Sequence, residues 1–441
     1  MYIMAIDQGT TGTTVCLMNQ AGSLVGTVNE EYRQIFPKPG WVEHDPEDIW
    51  ASVTSTIKKT LNKSGVQGNE IAAIGITNQR ETVMIWDRKS HKAIHNAIVW
   101  QCRRTADFCM KLKKTHKEKM VQRKTGLVID PYFSASKIRW LLKNVPGSMV
   151  RSSKNELAAG TVDSFLLWKL TAGDSHKTDV SNASRTMLMN IHTGEWDPEL
   201  LKLFSIPKSI LPEIGPSSGI FGKTRGLSCL PDGIPISGIA GDQQAALFGQ
   251  TCFSIGEAKC TYGTGSFLLM NIGESVQLSK SKMLTTVAWQ LPGRKMTYAL
   301  EGGAFICGAA VQWLRDGLGL FSKSSQIEDL AKSVKSSENV EFVPALTGLG
   351  APHWDTEARG LICGLTRGST KAHIARATLE AMALQNVDIL KAMEKDCGRK
   401  IKNLRVDGGA AANNLLMQIQ SDYMGTEVTR PKAIQTTAIG A

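Results

Sequence analysis

An α/β fold in two related halves is what the sequence predicts, on three observations. Apolar β-runs alternate with helix-patterned segments along all 441 residues. That length exceeds what one hydrophobic core usually supports. One local design also occurs twice: a β-run, a tip rich in Gly and Thr, and a second β-run. It is AIDQGTTGTTVCLMN near the N-terminus and AKCTYGTGSFLLMN in the second half. The boundary is placed near Gln250, giving domains 1–250 and 251–441.

Bulk properties exclude several classes. A hydrophobic fraction of 42% and a charged fraction of 21% are ordinary for a globular protein. Nine cysteines, an odd count with no CxxC pair, argue against a disulfide framework and a zinc site, and fit a reducing, cytoplasmic setting. The net charge of +11 is dispersed. Its densest run, KLKKTHKEK from Lys111, reads as one solvated helix face, and without a recognised module no nucleic-acid partner is expected. Attraction of anionic phosphates is a milder use of that charge. No apolar run approaches ~20 residues and no signal peptide precedes the first strand, so neither membrane spanning nor secretion is expected.

In chain order, the first strand YIMAI leads into DQGTTGTT and the strand VCLMN. A tip of this composition is an ordinary tight turn or a nest that converges N–H and hydroxyl groups on an anion. Asp7 stands beside it. In GWVEHDPEDIWASV, Asp45 and Pro46 read as N-cap and first helical residue, which leaves His44 no metal role. IAAIGITNQRETVMIW puts Arg80 and Glu81 at a link between strands. They are surface turn charges, or a donor–acceptor pair for the hydroxyls of a polyol. Trp100 ends a strand, and Tyr132 precedes the helix of DPYFSASKIRWLL; alone, each reads as core as readily as ligand wall. A helix around residues 163–170 and the polar loop SNASRT follow, then an irregular connection over 205–235. ISGIAGDQQAALFGQ is an apolar strand ending in glycine, with Asp242 where a helix of small residues begins. Asp242 is therefore a helix cap, or a carboxylate placed to take a proton from a substrate hydroxyl.

In the second half, AKCTYGTGSFLLMN supplies a second Gly/Thr tip, and two such tips suggest a phosphate clamp across a cleft. ALEGGAFICGAAVQWLRDGLG is a turn and an amphipathic helix on which Gly308 and Gln312 share a face. LRVDGGAAANNLLMQIQSDYMG is a strand, a Gly-Gly turn and a helix, where a nucleotide lies against a helix N-terminus or where close helix packing explains Gly408 and Gly409.

Taken together, IDQGTT, KPGWVEHDP, AIGITNQRET, NAIVWQCRRTA, TGLVIDPYFSASK, SNASRTM, GIAGDQQAALFGQ, TYGTG, TGLGAPHWD and RVDGGAAANN resemble the glycerol kinases of the FGGY carbohydrate kinase family. YFSASKIRWLL and GLICGLTRGSTKAHIARATLE match its general patterns. The resemblance implies two actin-like ATPase (RNase H-like) domains with a central cleft, ATP-dependent phosphorylation of glycerol, and ATP and Mg2+ as the bound partners. It implies that Arg80, Glu81, Tyr132, Asp242 and Gln243 hold the glycerol hydroxyls while Trp100 and Phe267 form apolar walls. Thr10, Thr11, Gly12, Thr264 and Gly265 would take the phosphates. Gly308, Gln312, Gly409 and Asn413 would meet the adenosine end. Asp7 and Asp242 would face magnesium, and Asp242 would be the general base. A homodimer or homotetramer is implied as well.

Two departures matter. Thr14 stands where the family carries an arginine shortly after DQGTT, which predicts weakened ATP turnover. The chain also ends at TTAIGA, where the family continues with a helix and further segments, so an uncovered apolar surface and lowered stability are expected. Two other readings stay open: a kinase of another small polyol, and a catalytically weakened nucleotide-binding or scaffold protein.

Overall fold

The computed structural model describes residues 1–355, 357–432 and 435–441. The chain divides into two compact units. The first comprises Met1–Ala245, Thr286–Tyr298 and Thr437–Ala441; the second comprises Ala246–Thr285 and Ala299–Thr436. Assignment of 286–298 and 437–441 to the first unit is a long-range feature that local patterning does not announce.

The first unit is built on a six-stranded sheet in the order Ser218–Lys223, Pro235–Gly241, Ile71–Asn78, Tyr2–Gln8, Gly12–Asn19 and Leu24–Glu31. Strand Tyr2–Gln8 alternates its faces. Met4 and Ile6 enter a core with Val15, Leu17, Ile49 and Val53, while Ala5 and Cys16 meet Ala438 on the other side. Each such Ile or Leu contributes about 1.5–3 kcal/mol on burial. Helix Pro46–Ser64 covers the first face through Ile49, Val53 and Ile57, four residues apart. Asp45 caps it, its carboxylate accepting from the Glu47 N–H at 2.9 Å, and Gly65 ends it at φ 74°.

What places the site is the direction of three strands. Ile71–Asn78 runs parallel to both Tyr2–Gln8 and Pro235–Gly241, with Gln8 and Gly241 each in register with Asn78. Their carboxyl ends therefore finish together, and open α/β sheets bind ligands at such ends. Asp7, Arg80, Glu81 and Asp242 lie at or just beyond these ends. A four-stranded sheet, Glu43–His44, Ala97–Ile98, Val83–Asp87 and Leu157–Thr161, carries the chain on from Glu81 and into Trp100.

The second unit repeats the design. Ala258–Tyr262 turns antiparallel into Ser266–Gly273 and lies parallel to Asn403–Asp407, which is parallel to Glu427–Thr429. The long helix Lys371–Cys397 buries Ala375, Ala377, Ala381 and Ala383, small residues that allow close packing. The basic run from Lys111 departs from expectation. It is split between helices Ala106–Lys113 and Glu118–Thr125, with His116 at φ 58° in the break. Crowded like charges at helical spacing disfavour a continuous helix there. Among the described residues no helix is long and apolar enough to cross a membrane.

Candidate active site

In the first unit one connected set of side chains joins five of the residues singled out in the sequence. The Arg80 guanidinium reaches Asp242 Oδ1 from Nε at 3.1 Å, Glu81 Oε1 at 3.9 Å and the Tyr132 hydroxyl from Nη2 at 3.5 Å. Tyr132 meets Trp100 edge-on, with ring centroids 5.7 Å apart. Arg80 and Glu81 are both about 2% exposed at the side chain, so the surface-charge reading of this pair fails. The cause is local: after strand Ile71–Asn78 the chain folds back at once into Val83–Asp87, and Glu81 takes a left-handed backbone, φ 59°. A non-glycine residue held there is strained by about 1–3 kcal/mol and persists only where its surroundings fix it. Here the Ser134 hydroxyl donates to the Glu81 carbonyl at 3.2 Å, and Arg185 Nε donates to its carboxylate at 2.6 Å. Gly241 leaves room for Arg80; a Cβ at that position would lie 2.7 Å from Arg80 Cδ.

Asp242 opens helix Asp242–Gly249. Its Oδ1 accepts from the Gln243 N–H at 2.7 Å and also faces Arg80. The cap and the site are therefore compatible roles, with one oxygen committed to the helix start and to Arg80. The Asp242 side chain is 28% exposed. Gln243 follows it in the helix and is buried.

The first Gly/Thr tip is held from behind. Tyr32 donates to the Gly9 and Thr10 carbonyls at 2.7 and 2.8 Å, Gln34 Nε2 to the Thr10 carbonyl at 3.1 Å and Gln79 Nε2 to the Gly9 carbonyl at 3.2 Å. Drawing carbonyls to one side turns the tip's positive dipole ends the other way. Beneath lies His44, 2.8 Å from Gln34 Oε1, its pKa lowered by burial to about 4, so that it is neutral. The Trp100 indole N–H donates to Thr10 Oγ1 at 2.9 Å, linking an aromatic wall to the tip. Gly12 closes the tip by accepting from the Gly9 N–H at 2.9 Å, and Tyr32 N–H donates to the Thr11 carbonyl at 3.3 Å. Burial, with the Asp242 charge added, pushes Asp7 up to about 7. Thr14 is Asp7's partner across the hairpin, and its hydroxyl accepts from Asn29 Nδ2 at 2.9 Å.

In the second unit a cavity of about 400 Å³ brings Thr264, Gly308, Gln312, Gly409 and Asn413 together, with Leu379, Met382 and Leu416 as apolar lining. Gly308 N–H donates to the Gly263 carbonyl at 3.0 Å, and a Cβ on Gly308 would stand 2.6 Å from that oxygen. Only glycine lets helix Gly308–Asp316 abut the tip so closely. Asn413 also caps helix Asn414–Met424, accepting from the Leu416 N–H at 2.9 Å. The tip's Gly265 carbonyl accepts from the Gly263 N–H at 2.9 Å. Phe267 belongs to this second unit, on strand Ser266–Gly273 opposite Thr261, its ring over Gly303.

Sequence reasoning missed Arg185, Tyr32, Gln34 and Gln79. Arg185 lay in the polar SNASRT loop, where nothing in the sequence distinguishes a buried guanidinium from a solvated one. Its guanidinium also lies 5.6 Å from the Tyr132 ring and 5.3 Å from that of Phe133. Among the described residues, no group of three or more His, Cys, Asp or Glu is arranged to hold a metal ion.

Comparison with known proteins gives one consistent result. Residues 2–249 match the N-terminal domain, and residues 258–441 the C-terminal domain, of the FGGY family of carbohydrate kinases. The chain is 69% identical over 440 residues to the glycerol kinase of Bdellovibrio bacteriovorus, covering 100% of this chain and 89% of the relative. It is 56% identical over 441 residues to that of Deinococcus radiodurans, covering 100% and 87%. The crystal structure of Plasmodium falciparum glycerol kinase with ADP superposes with a TM-score of 0.92 at 38% identity, over 100% of this chain and 88% of that one. A xylulose kinase from Lactobacillus acidophilus shares the fold at 24% identity, with a TM-score of 0.87 over 100% and 88%.

Proposed function

Because the chain belongs to the FGGY family of carbohydrate kinases, we propose that it transfers the γ-phosphoryl group of ATP to glycerol, giving sn-glycerol 3-phosphate and ADP. The observation that carries this reading is the connected set Arg80, Glu81, Tyr132 and Asp242 at the carboxyl ends of parallel strands, in a chain whose similar relatives are named glycerol kinases.

A small triol needs donors, acceptors and an apolar wall for its carbon chain. Arg80 donates, Glu81 accepts, and the Tyr132 hydroxyl does either. Gln243 completes the polar shell, and Trp100 and Phe267 supply the walls. In the transfer, an O–P bond forms between a terminal glycerol oxygen and the γ-phosphorus, and the bond to the β,γ-bridging oxygen breaks. The hydroxyl proton passes to Asp242 as general base. The tips Thr10–Thr11–Gly12 and Thr264–Gly265 take phosphate oxygens, and Gly308, Gln312, Gly409 and Asn413 take the adenosine end.

Asp7 and Asp242 suit a divalent cation carried by ATP. They are oxygen ligands of the hard kind magnesium prefers; burial, with the Asp242 charge added, pushes Asp7 up to about 7, and nearby positive charge relieves the part due to repulsion. Magnesium supplies charge neutralisation at the β- and γ-phosphates. Asp7 and Asp242 would hold it, partly through water. A cytoplasmic setting and a homodimer or homotetramer belong to the same reading.

The test is ADP formation in a coupled assay, with and without glycerol and across dihydroxyacetone and larger polyols. The expected result is turnover that requires glycerol and is fastest with it. ATP binding without glycerol-dependent ADP release refutes the reading.

A further inference from the structure

Lys137 lies on helix Ser134–Asn144 and is 0% exposed. Its three ammonium hydrogens meet three consecutive carbonyls, those of Pro131 at 3.1 Å, Tyr132 at 2.5 Å and Phe133 at 3.1 Å. An ammonium has three donors, so its hydrogen-bonding capacity is met entirely by this one turn.

A lysine here carries a cost that its three hydrogen bonds must offset. The position is inside the protein, where a charge is expensive unless fully compensated. It is also in the first turns of a helix, the end whose dipole disfavours a cation. Burial pushes the ammonium down to about 8, even though the Glu81 carboxylate favours its charged form. An unbranched apolar side chain would avoid those penalties but would take the donor away from the carbonyls of Pro131, Tyr132 and Phe133. What only a multi-donor group provides is convergence: three peptide planes are turned toward a single point, which fixes the path of residues 131–133.

We propose that Lys137 is a positioning residue for the acceptor substrate, setting the place of the Tyr132 hydroxyl by gathering the carbonyls of the turn that carries it. The proposal rests on the glycerol-site reading above. Tyr132 is the residue with most to lose from a shift. Its N–H is tied to Asp130 Oδ1 at 2.9 Å, its hydroxyl lies 3.5 Å from Arg80 Nη2, and its ring leans edge-on against Trp100. With the carbonyls released, the turn relaxes and the hydroxyl leaves the polar shell, while the phosphate tips are untouched. Misplacement by about 1 Å in a positioned group costs up to about 10²-fold.

Glycerol-dependent ADP formation separates this role from a merely structural one. Wild type, K137M, Y132F and the double variant are compared for kcat, for KM toward glycerol and ATP, and for melting temperature. In K137M the glycerol KM is expected to rise about tenfold while the ATP KM changes by less than about twofold. In a Y132F background, K137M adds less than about twofold to the glycerol KM, because the group it positions is already gone. K137Q, which keeps two donors, falls between wild type and K137M. An unchanged glycerol KM, a parallel loss in both KM values, or an undiminished effect of K137M in the Y132F background overturns the proposal. So does failure of both K137M and K137Q to fold, since a role confined to one turn requires the fold to survive. A wild type that forms no ADP with glycerol overturns the functional reading and this proposal together. An active wild type beside an indifferent K137M overturns the role of Lys137 alone.

Discussion

Replacing Arg185 by leucine removes the guanidinium that holds the Glu81 carboxylate. The two side chains are about 0% and 2% exposed, with Nε and Oε1 2.6 Å apart. Breaking a buried ion pair from one side leaves an uncompensated charge and costs about 3–5 kcal/mol. Arg80 Nε remains 3.9 Å from the same oxygen and compensates in part, which places the loss near the lower figure. At about 2 °C per kcal/mol for a unit of roughly this size, melting falls by about 6 °C. The kinetic effect has a direction too. Glu81 holds a left-handed backbone only because its surroundings fix it, so a released carboxylate no longer presents the same oxygen to a substrate hydroxyl. The glycerol KM therefore rises, by roughly 10–10²-fold, with a much smaller change in the ATP KM. Arg185→Lys keeps the charge but loses the planar fork, and recovers only part of each effect. Differential scanning fluorimetry and steady-state kinetics measure both. Arg185→Leu melting within about 1 °C of wild type, with an unchanged glycerol KM, would refute the reasoning.

Two further outcomes follow from the same geometry. Thr14 faces Asp7 across the first hairpin, so Thr14→Arg places a cation on the same face as that carboxylate, lowering it from about 7 and adding positive charge near the phosphate tip. kcat/KM for ATP is expected to rise about tenfold, less than the 10³–10⁵ of a transition-state arginine; no change in kcat or KM rejects the concern about Thr14. The second concerns pH. Burial, opposed by hydrogen bonds from Thr161 and Thr178, raises Asp163 from 3.8 to about 6. A carboxyl whose folded pKa lies above its unfolded value contributes stability that is present below pH 3.8 and is lost as pH rises through about 6. Asp163→Asn removes that loss, so its melting temperature relative to wild type should climb between about pH 4 and 6 and level off above, by the equivalent of about 3 kcal/mol at most. A pH-independent difference would show that Asp163 is already ionised in the fold.

The parts of this molecule legible in its sequence are those with local causes. The twin Gly/Thr tips, the capped helix after Asp45 and the strand-to-helix step at Asp242 each follow from a few neighbouring residues. Arg80 and Glu81 were legible as a pair, but their burial was not, because solvation depends on what packs over them. Arg185 reaches Glu81 from 104 residues away, and its loop reads as a polar surface. Tyr32, Gln34 and Gln79 are ordinary residues made significant by converging on the carbonyls of one turn. Lys137 was hidden in a helix whose other buried residues are apolar or small. The assignment of residues 286–298 and 437–441 to the first unit has no local signature either. In each case the missing information is a long-range pairing.

The claim on which the account turns is that Asp242 takes the proton of the attacking hydroxyl. Asp242→Asn is nearly isosteric and keeps an oxygen for the Gln243 N–H and for Arg80. Calorimetric affinities for glycerol and ATP should stay within about threefold of wild type, while kcat for glycerol-dependent ADP formation falls by at least about 10²-fold. An Asp242→Asn enzyme with undiminished kcat would contradict the account, leaving Asp242 a helix cap and placing the proton acceptor elsewhere.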